Sequence, residues 1–176
     1  AHVDHAIRKD SIKDKMFVES LCMKLKIQFF SQTLNPDSKL KSDSPEQWAR
    51  EKRYEYLKNL FIETGSDWIM TGHHANDNAE TILMNLSRQA GVNGLSGIPQ
   101  KNGKIIRPLL SYEKKVLCDF VDRVGLPFKN DHTNSDISIP RNFIRQKVLK
   151  PWELKVPSLI KGVYKSTLLI SEWKQS

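Results

Sequence analysis

The chain has 176 residues and a mass of 20.3 kDa, about one domain at roughly 150 residues per domain. Hydrophobic residues at 39% and charged residues at 27% exclude wholesale disorder, and no apolar run nears the roughly 18 residues of a membrane span. The net charge of +8 is uneven: +3 over residues 1–60, −3 over 61–100 and +8 over 101–176. On charge alone a polyanionic partner and a merely soluble basic surface stand level. Cys22 and Cys118 lie far apart, which excludes a disulfide scaffold, a four-cysteine zinc site and a Cys-x-x-Cys redox pair. That usage fits a reducing compartment, and the expected setting is cytoplasmic, with no membrane partner.

In chain order, residues 1–5 read as the end of a short strand, and the expectation is that some sequence precedes Ala1. Residues 11–26 read as a helix with Phe17, Leu21 and Leu25 at intervals of four. Residues 27–33 are a strand candidate, and residues 35–43 a polar loop. Ser44-Pro45-Glu46-Gln47 is a helix start, with Pro at the first helical position. That helix is expected to bury Trp48, Leu57, Leu60 and Phe61 and to stop at Gly65. Residues 67–71 form a short buried strand, and residues 75–89 a helix with Ala79, Ile82, Leu83 and Leu86 inward. A loop spans 91–99 and a strand 104–107. A helix capped by Ser111 buries Val116, Leu117, Phe120, Val121 and Val124 and closes at Gly125. Residues 131–136 are a loop, residues 140–150 a short basic helix, and residues 157–173 a last amphipathic helix.

Strands alternating with helices predict an α/β layer fold with a mainly parallel sheet. In such sheets ligands bind beyond the carboxyl ends of the strands. That rule directs attention to residues 2–8, residues 71–80 and the loop after Arg107.

Thr71-Gly72-His73-His74-Ala75-Asn76-Asp77-Asn78-Ala79-Glu80-Thr81 follows a strand and opens a helix. His74, Asp77 and Glu80 share one side of its first turns. The helix dipole accounts for the acids but not for two adjacent histidines after a glycine, which favours a functional site. His2, Asp4, His5 and Arg8 cluster at the first strand end, where a polar turn and a functional site stand level. Arg50 and Arg53 lie one helical turn apart and can grip one anion, although spacing alone favours a solvated face. Arg141 and Arg145 align on a basic helix after Pro140, which suits phosphate or a generic basic surface. Two chemistries survive. One is a metal hydrolase, in which His2-x-Asp4-His5 would be part of a ligand run joined by His73, His74, Asp77 and Glu80. The other is a nucleotide-using enzyme acting on nucleic acid. The long helices weigh against the hydrolase.

Gly72-His73-His74-Ala75-Asn76-Asp77-Asn78-Ala79-Glu80-Thr81, followed by Gly94-Leu95-Ser96-Gly97-Ile98, resembles the signature of the tRNA(Ile)-lysidine synthases. So do, in order, His2-Val3-Asp4-His5 with Arg8, Ala49-Arg50 with Arg53-Tyr54, Ile106-Arg107-Pro108-Leu109-Leu110, residues 131–136, and Arg141-Asn142 with Arg145. The resemblance covers about residues 1–150. It implies an N-type ATP pyrophosphatase (PP-loop) with a Rossmann-like, three-layer fold. Residues 1–150 would be the catalytic domain, and 151–176 a helical linker or the start of a second domain.

The implied reaction joins L-lysine to the wobble cytidine of the isoleucine tRNA with a CAU anticodon. ATP first adenylates the cytidine and releases pyrophosphate; the lysine ε-amine then displaces AMP. The resemblance places His74, Asp77 and Glu80 at the chemistry. It places His2, Asp4, Arg8, Gly72 and His73 around ATP, and Arg50, Arg53, Arg141, Asn142 and Arg145 on tRNA. It implies ATP with Mg2+ and no other metal. The oligomeric state is left open, a homodimer among the options.

The family's glycine-rich Ser-Gly-Gly-x-Asp-Ser loop is not in this sequence. It is expected to lie before His2, so the chain alone is expected to bind ATP poorly and not to turn over. A tRNA-thiolating relative would need cysteine pairs that the chain lacks. A non-catalytic tRNA-binding fragment is the third option.

Overall fold

The computed structural model describes residues 1–6, 11–35, 44–129 and 135–175. The chain divides into two compact units, Ala1–Ile69 and Met70–Ser176. In the first, β1 (His2–Asp4) is joined through α1 (Ser11–Lys24) to β2 (Ser31–Thr33), and α2 (Pro45–Thr64) follows. β1 and β2 are parallel, with His2 opposite Ser31 and Asp4 opposite Thr33. A parallel pair needs a crossover, and α1 supplies it. The pairing continues at both ends, where His2 N–H donates to the Phe30 carbonyl and Leu34 N–H to that of Asp4.

Trp48 and Ala49 on α2 pack with Leu34 and Val3, so the core of this unit sits over the strand pair. Leu57, Leu60 and Phe61 are half-buried rather than sealed. Pro45 opens α2, where its missing N–H has no helical partner to lose. Gly65 ends the helix at φ 62°, its N–H directed at the Ile62 carbonyl. No residue of α1 is fully buried, and Leu25, expected in its apolar stripe, is 50% exposed.

The second unit takes up the chain at Met70, within β3 (Ile69–Met70). It continues through α3 (Ala75–Leu86), α4 (Val92–Leu95), β4 (Lys101–Asn102), β5 (Ile105–Ile106) and α5 (Lys114–Val124). The order across its sheet is β3–β5–β4, with β4 and β5 an antiparallel hairpin. Neither α4 nor β4 is expected from the sequence, since each is too short to show a period.

α6 (Pro140–Phe143) runs through a π-helical segment, Ile144–Leu149, into α7 (Lys150–Lys155). Helix was expected to stop near residue 150. Pro151 has no N–H for the Lys147 carbonyl, and widening to π pairing carries the helix past it. α8 (Leu159–Gln175) packs Leu159 and Ile160 on Ala75 and Ala79 of α3 and on Leu149, the core of this unit. Full burial of Ile160 is worth about 1.5–3 kcal/mol.

Two burial expectations are corrected. Leu86 is 52% exposed, because α3 ends there and its inward face is filled by Ala75, Asn78, Ala79 and Glu80. The helix expected from Ser111 begins at Lys114, with Glu113 at the cap. Residues 109–112 instead turn back, and the Tyr112 carbonyl accepts the Ala75 N–H. Val116, Phe120 and Val124 fall on one face as the spacing predicts, but each remains about half exposed.

Candidate functional site

The start of α3 organises the second unit. His74 takes the cap position, and its Nδ1 accepts the Asp77 N–H at 3.3 Å. Asp77 Oδ2 in return accepts the His74 N–H at 3.0 Å, which completes a capping box. Burial lowers the His74 pKa below the ordinary histidine value, although Asp77 pulls the other way. The lowered pKa favours the neutral ring, whose Nδ1 accepts the Asp77 N–H and whose proton then lies on Nε2. Thr71 Oγ1 pairs with His73 Nδ1 at 2.9 Å, and Gly72 between them is exposed.

One turn on, Glu80 is 1% exposed and its carboxylate accepts three guanidinium N–H bonds. Arg145 Nε donates to Oε1 at 2.6 Å and Arg145 Nη2 to Oε2 at 2.9 Å. Arg141 Nε donates to Oε2 at 2.7 Å. Arg141 Nη2 reaches Asp77 Oδ1 at 3.3 Å, so two guanidinium groups and two carboxylates form one network. Glu80 pushes the Arg145 pKa further up. The chemical consequence is a division of labour. Glu80 is buried and receives three guanidinium N–H bonds, whereas Asp77 and His74 sit nearer the helix end and keep part of their surface open. Arg141 and Arg145 are fixed in place by the carboxylates rather than waving from a basic helix.

Asn142 is buried and donates to the Asp136 carbonyl at 3.0 Å, a bond that ties the helix start to the preceding loop.

Asn78 is buried too, and it explains a motif residue that sequence reasoning left without a role. Its Nδ2 donates to Thr167 on α8 at 3.1 Å, and its Oδ1 accepts the Ile98 N–H at 2.7 Å. Gly97 has φ 69°, and a Cβ there would collide with the Asn78 amide. A Cβ at Gly94 would collide with Ala90. The Gly94-Leu95-Ser96-Gly97 run is thus shaped by close approach to α3 and the turn after it. The signal was the pair of glycines; what was missing was the partner of Gly97, Asn78, 19 residues upstream.

In the first unit, Asp4 is buried at the end of β1 and its Oδ1 accepts the Ala6 N–H at 2.8 Å. Burial pushes its carboxyl up, but the Ala6 N–H and the Ser11 hydroxyl together hold it below the usual value. Ala6 takes a left-handed φ of 52° to make that turn. Burial, with Asp4 opposing, lowers the His2 pKa. Burial and then Arg53 lower that of His5, whose Nε2 lies 3.1 Å from Arg53 Nη2. Arg53 therefore belongs with the strand end. Arg50 instead stacks over Tyr54 at 5.2 Å on an exposed face of α2. Arg8 lies outside the described residues, as does most of the 131–136 loop.

Among the described residues no group of three His, Cys, Asp or Glu side chains is placed to hold a metal ion. No described helix is long and apolar enough to cross a membrane.

The architecture is shared with a solved structure, the U34-tRNA thiolase NcsA of Methanococcus maripaludis with its 4Fe–4S cluster. The TM-score is 0.73 over 96% of this chain and 61% of that one, at 14% identity, which establishes a Rossmann-like α/β fold and no more.

By sequence, the chain is 39% identical over 152 residues to a tRNA(Ile)-lysidine synthase of Chlorobaculum tepidum, covering 85% of this chain and 46% of that protein. It is 37% identical over 151 residues to the one of Thermosipho africanus, covering 85% of this chain and 35% of that protein. The chain thus spans less than half the length of these curated relatives. The family model described as PP-loop domain matches residues 1–152, and the chain belongs to that family.

Proposed function

We propose that this sequence is the catalytic part of an ATP-dependent ligase that modifies tRNA, joining L-lysine to the wobble cytidine of the CAU-anticodon isoleucine tRNA in the cytoplasm. The observation that carries the reading is the pairing of a part-open carboxylate and a neutral histidine, Asp77 and His74, at a helix start backed by the Glu80–Arg141–Arg145 network. Likeness to the lysidine synthases over most of the chain supports it.

A lysine ammonium must lose a proton before it can attack. Asp77 is suited to hold the ammonium and to accept that proton. His74 in its neutral form can donate a hydrogen bond from Nε2 to substrate without adding charge. Glu80 acts through the arginines. It fixes two positive groups beside the site, where they offset charge as pyrophosphate and then AMP depart. His2, Asp4, Arg8, Gly72 and His73 are proposed as ATP-binding residues. Arg50 and Arg53, and the outer edges of Arg141 and Arg145 with Asn142 bracing them, are proposed to meet tRNA. We take residues 1–150 as the catalytic portion and 151–176 as the helical lead toward a further domain.

The step order is tested with the full-length protein that carries this sequence. Incubated with ATP labelled at the α-phosphorus and CAU-anticodon tRNA, but no lysine, it is expected to transfer label to the tRNA. Adding lysine is expected to release that label as AMP. Release of AMP with no labelled tRNA at any time would overturn the adenylated intermediate.

A further inference from the structure

The motif at the head of α3 holds a polar residue to which the reaction gives no role, Asn76. Its amide meets two other elements. Oδ1 accepts the Lys114 N–H of α5 at 2.8 Å, and Nδ2 donates to Glu153 Oε1 of α7 at 3.4 Å. These partners fix which way the amide points, since a backbone N–H only donates and an ionised carboxylate only accepts. Ala75, the residue before, donates its N–H to the Tyr112 carbonyl at 2.9 Å. Two consecutive residues of α3 thus hold the chain on both sides of the α5 cap.

The bond to Lys114 supplies what α5 lacks. The first N–H groups of a helix have no partner within it. Glu113, at the cap of α5, makes no side-chain capping bond, and Asn76 fills that place from another helix. Packing does not hold α5 instead. None of its residues is fully buried, and its stripe of Val116, Phe120 and Val124 is about half exposed. α7 buries no residue either. With little apolar contact, the placing of these two elements falls to their polar ties.

The ties also bring charge toward the site. Burial, and after it Lys114, lower the His74 pKa; burial, and after it Glu113, raise that of Glu153. The charged start of α5 therefore acts on both sides of Asn76. Asn76 itself is next in the chain to Asp77 and two places from His74.

We propose that Asn76 is a positioning residue: it caps α5 from α3 and holds Glu113, Lys114 and Glu153 in place around the head of α3, where Asp77 and His74 act. Its effect on the reaction rests on the ligase reading; its capping of α5 does not.

The test uses the full-length protein that carries this sequence, with two readouts. One is backbone hydrogen exchange over residues 112–118, and the other is the kcat for lysine incorporation. Asn76→Ala removes both bonds. It is expected to speed exchange at the start of α5 several-fold while α3 stays protected, and to lower kcat roughly tenfold with tRNA affinity retained. The rescue is a swap, Asn76→Asp with Glu153→Gln, which reverses donor and acceptor and keeps both bonds. It is expected to bring exchange and kcat back to within about twofold of the natural protein. Asn76→Asp alone sets two carboxylates against each other and is expected to fall short of the swap in kcat; this comparison decides if Asn76→Ala does not fold. Unchanged exchange at α5 in Asn76→Ala would overturn the capping. Faster exchange with unchanged kcat, or a swap no better than Asn76→Asp, would overturn the positioning role. If the natural protein incorporates no lysine, the ligase reading fails, and hydrogen exchange still decides the capping.

Discussion

At the scale of single residues, the charged groups at the head of α3 are held for two different purposes. Glu80 neutralises two guanidinium groups inside the unit, and removing one partner of a buried ion network is costly. Glu80→Gln is expected to destabilise the chain by about 3 kcal/mol in a urea titration, since one neutral carbonyl oxygen replaces two charged acceptors. A change under half of that would mean that the arginines find other partners. His74 makes a different prediction. Burial lowers its pKa in the fold, so between the folded and unfolded values the unfolded chain binds the extra proton. Stability from this group is complete above the ordinary histidine value of 6.5 and is lost as pH falls below it. His74→Asn replaces the capping Nδ1 with an amide oxygen and removes the titration, so the decline of stability below pH 6.5 is expected to shrink. It does not vanish, because burial also lowers His2 and His5. An unchanged slope would place the His74 ring in solvent.

At the scale of elements, the turn after α3 is specified by glycines. Gly97→Ala meets both a left-handed φ and the Asn78 amide, and is expected to cost about 2–3 kcal/mol. Gly103→Ala meets only its φ of 58°, with no atom near the added methyl, and is expected to cost about 1 kcal/mol. Equal costs in parallel urea titrations would remove Asn78 from the explanation. The same elements show what the sequence made legible. The helix at 75–86 was readable because Gly72 precedes it and its apolar spacing is regular. The capping of α2 by Pro45 and Gly65 was readable for local reasons too. The roles of Glu80 and Asn78 were not. Their partners Arg141, Arg145 and Thr167 lie 61 to 89 residues away, and spacing within one helix carries no information about them. For the same reason the sequence leaves Arg141 and Arg145 between a phosphate-binding face and a generic basic surface. The stripe on α5 was legible as a stripe, but whether a stripe is covered depends on elements that its own residues do not encode.

At the scale of the molecule, the excess positive charge lies mainly in residues 101–176, next in sequence to an acidic stretch in which Asp77 and Glu80 are paired with arginines. Arg50 differs from the clamped arginines, because it is exposed and stacked on Tyr54, a surface suited to phosphate and base alike. Arg50→Ala is expected to weaken tRNA binding and to lower the slope of log affinity against log salt by about 1. An unchanged slope would leave that face of α2 as ordinary solvated surface.

The account as a whole rests on Asp77 serving the amine nucleophile of a tRNA-directed ligase. The most direct measurement is incorporation of labelled lysine into CAU-anticodon isoleucine tRNA by the full-length protein with ATP, comparing the natural sequence with Asp77→Asn. The account predicts incorporation into that tRNA alone, lost by at least about a hundredfold in Asp77→Asn while tRNA affinity is retained. Normal incorporation by Asp77→Asn, or equal labelling of unrelated tRNAs, would contradict it.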